Sequence, residues 1–427
     1  MKFNTKRVFF VGMAFFLICA FWQAYDAIIP LTLTNKFGFS QTASGFVMCL
    51  DNILALFLLP FFGALSDKSK SKYGKRTPFI FVGTILAIAF FIGLTFVDNA
   101  KISSPDGTIY LNVLFIIILL CVLLSMAIFR SPAVALMPDV VVKPLRSKAN
   151  AIINLMGAIG GILVLLLGIV FGTGKPENAT MSYTPYVCTV CGIMAIAFFV
   201  FLFTVKEPKW NREMLEAQAH LEDTLDPEEL SGQEKLSKGK LISLILILAS
   251  VALWYFGYNA VTSKFSVYAS NVLKMDYNLT LMIAQGAAIL SYIPVGFIAE
   301  RVGRKKCILA GVAFLFIAFL GGSFMTSSSP IILLYLLFAL AGVGWATINV
   351  NSFPMVVELA KGSDIGKYTG YYYTASMAAQ IATPVFSGFL MDRIDWTVLF
   401  PYAAIFVALS FVTMLFVKHG DSKLQSK

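Results

Sequence analysis

Three ionisable side chains, Asp26, Asp51 and Arg130, lie inside long apolar runs of the sequence. A charge placed in hydrocarbon is costly, so such groups mark working sites more often than packing. Two carboxylates in this setting suit reversible proton binding, with Asp26 the first choice and Asp51 the second. Both fall roughly 12 to 15 Å, at about 1.5 Å per residue, from the same ends of their runs, near enough in depth to sense each other. The only histidines, His220 and His419, sit in polar segments and offer no competing proton carrier. Arg130 lies about 12 Å further along by the same rise, which disfavours a direct ion pair with Asp26 and fits the floor of a cavity.

A second set of residues suits a different chemistry. Trp22, Trp254 and Trp345 sit in mid-run, away from the interfacial positions tryptophan prefers. Each has a polar group one turn on, Asp26, Tyr258 and Asn349 respectively, and Tyr255 with Asn259 repeats the spacing. Aromatic faces beside hydrogen-bonding groups fit a sugar, whose ring has an apolar C–H face and a hydroxyl edge. Ordinary helix packing is the competing explanation for any one tryptophan. Gln23 joins the candidate set, and Lys264 fits either the cavity or the outer end of its run.

The elements that position these residues are membrane-spanning helices. Hydrophobic residues make up 58% of the 427 and charged ones 13%, about half the charge of a soluble domain. Twelve apolar segments, each long enough to cross roughly 30 Å of hydrocarbon, predict an all-α membrane protein. Alternate connections carry 26 of the 33 Lys and Arg, which predicts cytoplasmic N- and C-termini. The +10 net charge follows from this loop bias and gives no reason to expect nucleic acid. The first run follows Lys2, Lys6 and Arg7 without a small-residue cleavage site, so an uncleaved first helix is expected. Six cysteines include one lone C-x-x-C, Cys188 and Cys191, which reads as buried packing. No phosphate loop, nucleophilic triad or metal-ligand cluster is visible, so the chain is read as no enzyme, with no cofactor and no metal.

The sequence is duplicated. Gly63 to Arg76 (GALSDKSKSKYGKR) and Gly296 to Lys306 (GFIAERVGRKK) match 233 positions apart, as do Tyr25-Asp26-Ala27 and Tyr258-Asn259-Ala260. Six spans plus six, joined by a polar stretch, resemble the major facilitator superfamily. The resemblance implies two six-helix bundles, residues 1–205 and 241–427; the charged stretch 206–240 between them reads as a solvated linker in which Trp210 to Leu221 form a short surface helix. The resemblance also implies a central cavity lined by spans one, four, seven and ten. The duplicated loops then form a cytoplasmic gate, with Gly63 and Gly296 admitting a helix of the opposite bundle. Asp67, Lys75, Arg76, Glu300, Arg301 and Arg304 supply ion pairs there, and Asp139 and Arg146 complete the set. Glycines 157, 161, 168 and 172 predict close packing of the fifth span.

Within that superfamily, Lys68 to Ile80 (KSKSKYGKRTPFI) resembles the loop of glycoside-pentoside-hexuronide:cation symporters and sucrose transporters. Pro132 to Asp139 (PAVALMPD) is similar to the sucrose-transporter pattern P-x-R-A-L-x-x-D. Two departures stand out. The second-span acids of melibiose-type symporters align with Ala55 and Leu59, which argues against a sodium site, and the sucrose-transporter arginine aligns with Val134, one turn after Arg130. The resemblance implies proton-coupled uptake of a disaccharide or glycoside across the cell membrane by a monomer in the lipid bilayer. An efflux antiporter for amphipathic compounds and a non-transporting sugar sensor are the alternatives.

Overall fold

The computed structural model describes residues 4–103, 109–142, 145–222, 237–357, 359 and 365–420, and among them contains no strand. The side chains of Arg146 and Glu300 lie outside the described ones. Six long helices come first: α1 (Thr5–Leu31), α2 (Gln41–Asp67), α3 (Thr77–Ser103), α4 (Ile109–Val140), α5 (Arg146–Phe171) and α6 (Thr184–Thr204). The short α7 (Glu207–Glu222) follows. The second set is α8 (Lys238–Tyr268), α9 (Tyr277–Val302), α10 (Arg304–Gly322), α11 (Ile331–Val357), α12 (Ile365–Arg393) and α13 (Leu399–Leu415).

Eleven helices among the described residues are long and apolar enough to cross a membrane. The sequence predicts a twelfth over 368–391, where α12 does form with 29 residues. Its lower apolarity comes from Lys367, Ser376, Gln380, Thr383 and Ser387. The hydroxyls of Thr383 and Ser387 donate to the carbonyls of Ala379 and Thr383 (2.6 and 2.7 Å), which lets polar residues sit within a helix without unpaired groups.

The chain divides into two compact units, Met1–Gly38 with Leu50–Leu225, and Phe39–Cys49 with Asp226–Lys427. In the first, α1 packs against α5 and α6, and α3 against α4. In the second, α8 packs against α12 and α13, and α10 against α11, the same pattern one repeat later. Glycine brings α1 and α5 together: a Cβ on Gly160 would lie 2.7 Å from the Phe16 carbonyl, and one on Gly157 2.7 Å from Cys19 Sγ. The contact runs through Gly157, one of the glycines the spacing picked out, and through Gly160. Gly172 instead ends α5 with φ +66°.

The expectation of a solvated linker is corrected over its first half. Trp210 and Met214, one turn apart on α7, are buried on the first unit, and the Arg7 guanidinium lies 5.3 Å from the Trp210 ring centroid. Arg7 also pairs with Glu213. At the start of α7 the Glu207 carboxylate, 3% exposed, accepts from Arg76 N (2.9 Å), Thr77 N (2.8 Å) and Thr77 Oγ1 (2.7 Å). An acid there satisfies orphan N–H groups of the first turn of α3 and meets the positive end of its dipole. Glu207→Ala removes all three bonds, an expected loss of about 1 to 2 kcal/mol. It should lower the melting temperature and raise amide exchange in α7 and the first turn of α3; unchanged exchange in both would refute this anchoring role.

The second unit holds the first turns of α2. Asp392 at the end of α12 accepts from Gln41 N (2.8 Å) and Thr42 N (2.6 Å), acting as an N-cap supplied from 350 residues away in sequence. Lys264, 0% exposed, donates to the Gln41 carbonyl at 2.8 Å. Lys264 is therefore a buried structural donor near the end of α8.

Candidate functional site

Each unit brings together a separate part of the predicted set. In the first, Asp26 in α1, Asp51 in α2 and Arg130 in α4 are near enough to interact electrostatically. No ion pair within 4.0 Å joins them among the described residues. Asp26 is exposed although it lies well inside a helix of 27 residues. It has no protein hydrogen bond or ion pair among the described residues, so its carboxylate is open to a proton or a ligand. Asp51 is half-buried, and its Oδ1 accepts from Asn52 N and Nδ2 at 2.6 and 2.8 Å. Asn52 was not among the sequence candidates, and it holds one Asp51 oxygen in place.

Trp22 lies one turn from Asp26 on α1. The Arg130 guanidinium carbon lies 5.5 Å from its ring centroid, within cation–π range. The rings of Phe21 and Tyr25 meet Trp22 edge-on, each at 5.3 Å. Trp22 Nε1 is buried with no hydrogen-bond partner among the described residues. Gln23 is half-buried beside it in sequence.

In the second unit Tyr258 of α8 and Trp345 of α11 stack in parallel, with centroids 3.6 Å apart and planes 1° from coplanar. Tyr255 meets the same indole edge-on at 5.2 Å. A side-chain hydrogen bond joins Tyr255 to Tyr372 of α12, whose hydroxyl lies 2.8 Å from Ser352 Oγ on α11. Three helices thus fix one aromatic assembly. Asn259 and Asn349 are half-buried, and Asn259 Nδ2 has no hydrogen-bond partner among the described residues. Tyr372 and Ser352 were missed in the sequence; within the run Tyr371-Tyr372-Tyr373 nothing singles out the middle residue, the buried one of the three.

Trp254 takes a different place from the one its spacing implied. It is 0% exposed, in the core of the second unit, and it makes no ring contact with Trp345. Tyr258 lies between the two on the helical wheel, with Tyr255 about 60° to one side and Trp254 about 40° to the other, and Trp345 packs on the Tyr255 side while Trp254 turns into the core.

The loop residues assigned to a gate separate in the same way. Arg76, 5% exposed, pairs with Asp67 and with Asp139, Nε to Oδ2 at 2.7 Å, and donates to Ser66 Oγ. Lys75 and Arg301 are exposed, and Arg304 opens α10. The close approach expected at the paired glycines is not symmetric. A Cβ on Gly63 would lie 2.9 Å from Ser131 Oγ of α4, in its own unit, whereas one on Gly296 would meet nothing within 4 Å. The side-chain roles of Glu300 and Arg146 concern groups outside the described ones. No group of three or more His, Cys, Asp or Glu side chains able to hold a metal occurs among the described residues.

Comparison with known proteins places this geometry in a family. The sequence model of the Major Facilitator Superfamily matches residues 11–321 and 277–427. A sucrose transport protein of Arabidopsis thaliana is 33% identical over 174 residues, 38% of this chain and 29% of that protein's length. An uncharacterised MFS-type transporter of Methanocaldococcus jannaschii is 23% identical over 421 residues, covering 97% of this chain and 95% of the relative. Among solved structures, a D-xylose-proton symporter has a TM-score of 0.69 at 17% identity, covering 97% of this chain and 98% of its own. A nucleoside transporter has a TM-score of 0.64 at 15% identity, covering 96% and 100%. The duplicated packing of α1–α6 and α8–α13, the acids held inside apolar helices and the family match across the chain have one conclusion: the protein belongs to the major facilitator superfamily, as a multi-pass membrane protein.

Proposed function

We propose that the chain is a proton-coupled importer of a disaccharide or glycoside, working by alternating access as a monomer in the cell membrane with both termini in the cytoplasm. The observation that carries the sugar is the Tyr258–Trp345 stack, braced by Tyr255, Tyr372 and Ser352, with the amides of Asn259 and Asn349 on the same two helices. A rigid aromatic face beside amide donors and acceptors complements a pyranose better than it does a flexible or purely apolar ligand. The 33% identity to a sucrose transport protein, over 29% of that protein's length, supports a saccharide. Asp26, exposed and without a partner among the described residues, supports proton exchange, and Arg130 beside Trp22 provides donors for hydroxyls.

A binding titration tests the sugar. Calorimetry on the purified protein with a panel of disaccharides and aryl glycosides should give saturable binding to at least one. Trp345→Ala should weaken that binding by about tenfold, the worth of one aromatic contact. Trp254→Phe, in the core, should leave it within about twofold. No binding to any saccharide, by protein that still unfolds cooperatively, would overturn the sugar assignment.

A further inference from the structure

The loop between α2 and α3 carries charges that its internal ion pairs do not use. Its one buried cation, Arg76, takes Asp67 and Asp139, and Glu207 is turned on the Arg76 and Thr77 backbone. Lys68, Lys70, Lys72 and Lys75 are all exposed, and none makes an ion pair among the described residues. The loop is nevertheless held in one shape. Ser69 N donates to the Ser66 carbonyl and Gly74 N to that of Ser71, each at 3.1 Å. Gly74 has φ +113°, and a Cβ there would lie 2.3 Å from the Glu207 carboxyl.

Between the lysines stands Tyr73, 64% exposed, with Lys72 Nζ 5.1 Å from its ring centroid. The apolar Phe61 and Leu65 at the end of α2 are exposed as well, at 59% and 44%. Glu207 binds the start of α3, and beside it in sequence stand the exposed Lys206 and Lys209, of which Lys209 lies 3.9 Å from Glu213. A spanning helix enters and another leaves at this loop, so the cluster stands at the level of lipid headgroups. Uncompensated lysines, an amphipathic tyrosine and apolar side chains below them match an anionic headgroup above its acyl chains.

We propose that the 68–75 loop, with the start of α7, is a docking surface for anionic phospholipid headgroups. Loop position alone would give any basic loop of the protein a similar pull. This surface differs because its neighbouring carboxylates are spent on Arg76 and α3, and because its shape is fixed by the Gly74 turn.

The test is native mass spectrometry of the full chain in detergent, titrated with phosphatidylglycerol or with phosphatidylcholine of the same acyl chains. Wild-type protein should retain phosphatidylglycerol selectively. K68Q/K70Q/K72Q should lose that binding by at least about tenfold, each lysine near a headgroup being worth several-fold. K238Q/K306Q/K418Q removes the same charge from exposed lysines elsewhere and should stay within about twofold, a smaller change than one lysine at a headgroup gives. Millimolar inorganic phosphate should not displace the lipid. Unchanged binding in the loop variant, equal loss in the control variant, or displacement by phosphate alone would each overturn the proposal.

Discussion

Asp26→Asn should abolish proton-driven accumulation while leaving downhill exchange. In proteoliposomes with an inward proton gradient, its accumulation ratio should fall to about one, because coupling exists only where protonation changes substrate affinity or the conformational equilibrium. Asparagine keeps the size and hydrogen-bonding capacity of the protonated acid, and it removes the titration. The sign follows for pH. A proton symporter loads its substrate with the acid protonated, so wild-type uptake should decline as the external pH rises, and the variant's exchange should be flat over the same range. Asp26 is chosen over Asp51 because it is exposed and has no protein partner among the described residues, whereas Asp51 is engaged by Asn52. Asp51→Asn should therefore shift the pH profile and retain accumulation. Accumulation intact in Asp26→Asn and lost in Asp51→Asn would exchange the two roles.

The largest stability effect should come from the end of the first unit where α1 runs into its π-helical turn. Lys36, in the π-helical turn that continues α1, donates to Asp98 Oδ2 and to the Met181 carbonyl, both at 2.6 Å, and lies 3.9 Å from the Tyr183 ring centroid. The two charged side chains are 2% and 4% exposed. Asp98→Ala leaves a buried ammonium without its counter-charge, a loss of about 3 to 5 kcal/mol, and Lys36→Met leaves a buried carboxylate at similar cost. The double variant Lys36→Met/Asp98→Leu should recover most of that loss, since an apolar pair of comparable volume replaces a desolvated ion pair. Thermal unfolding of the three variants in one detergent measures this. A double variant as unstable as the sum of the single ones would show that the charges contribute independently.

The fold was legible to the extent that it is one-dimensional. Apolar length marks a spanning helix locally, and repeats such as Gly63 with Gly296 reveal duplication without any geometry. The candidate site was legible where a residue type is out of place in its segment, as Asp26 and Arg130 are. Which face of a helix carries a residue was harder to read. Trp254 and Tyr255 are adjacent, and only the second reaches Trp345, because one step along an α-helix turns about 100°. Partners distant in sequence could not be read at all: Asp392 capping α2, Glu207 capping α3, and Tyr372 bracing Tyr255 depend on tertiary placement. The solvated linker failed for a related reason. A polar average over 206–240 hid Trp210 and Met214, whose spacing of four forms a small apolar face that the first unit covers.

The most direct measurement is accumulation of a labelled disaccharide and glycoside panel by the purified protein in sealed proteoliposomes, with and without an inward proton gradient. At least one saccharide should concentrate inside above its external level only when the gradient is present, with protons entering in step. Saccharide entry that never exceeds equilibrium under any gradient would contradict proton coupling. No saccharide entry at all, from folded protein, would contradict the importer itself and leave export of another ligand class as the activity to examine.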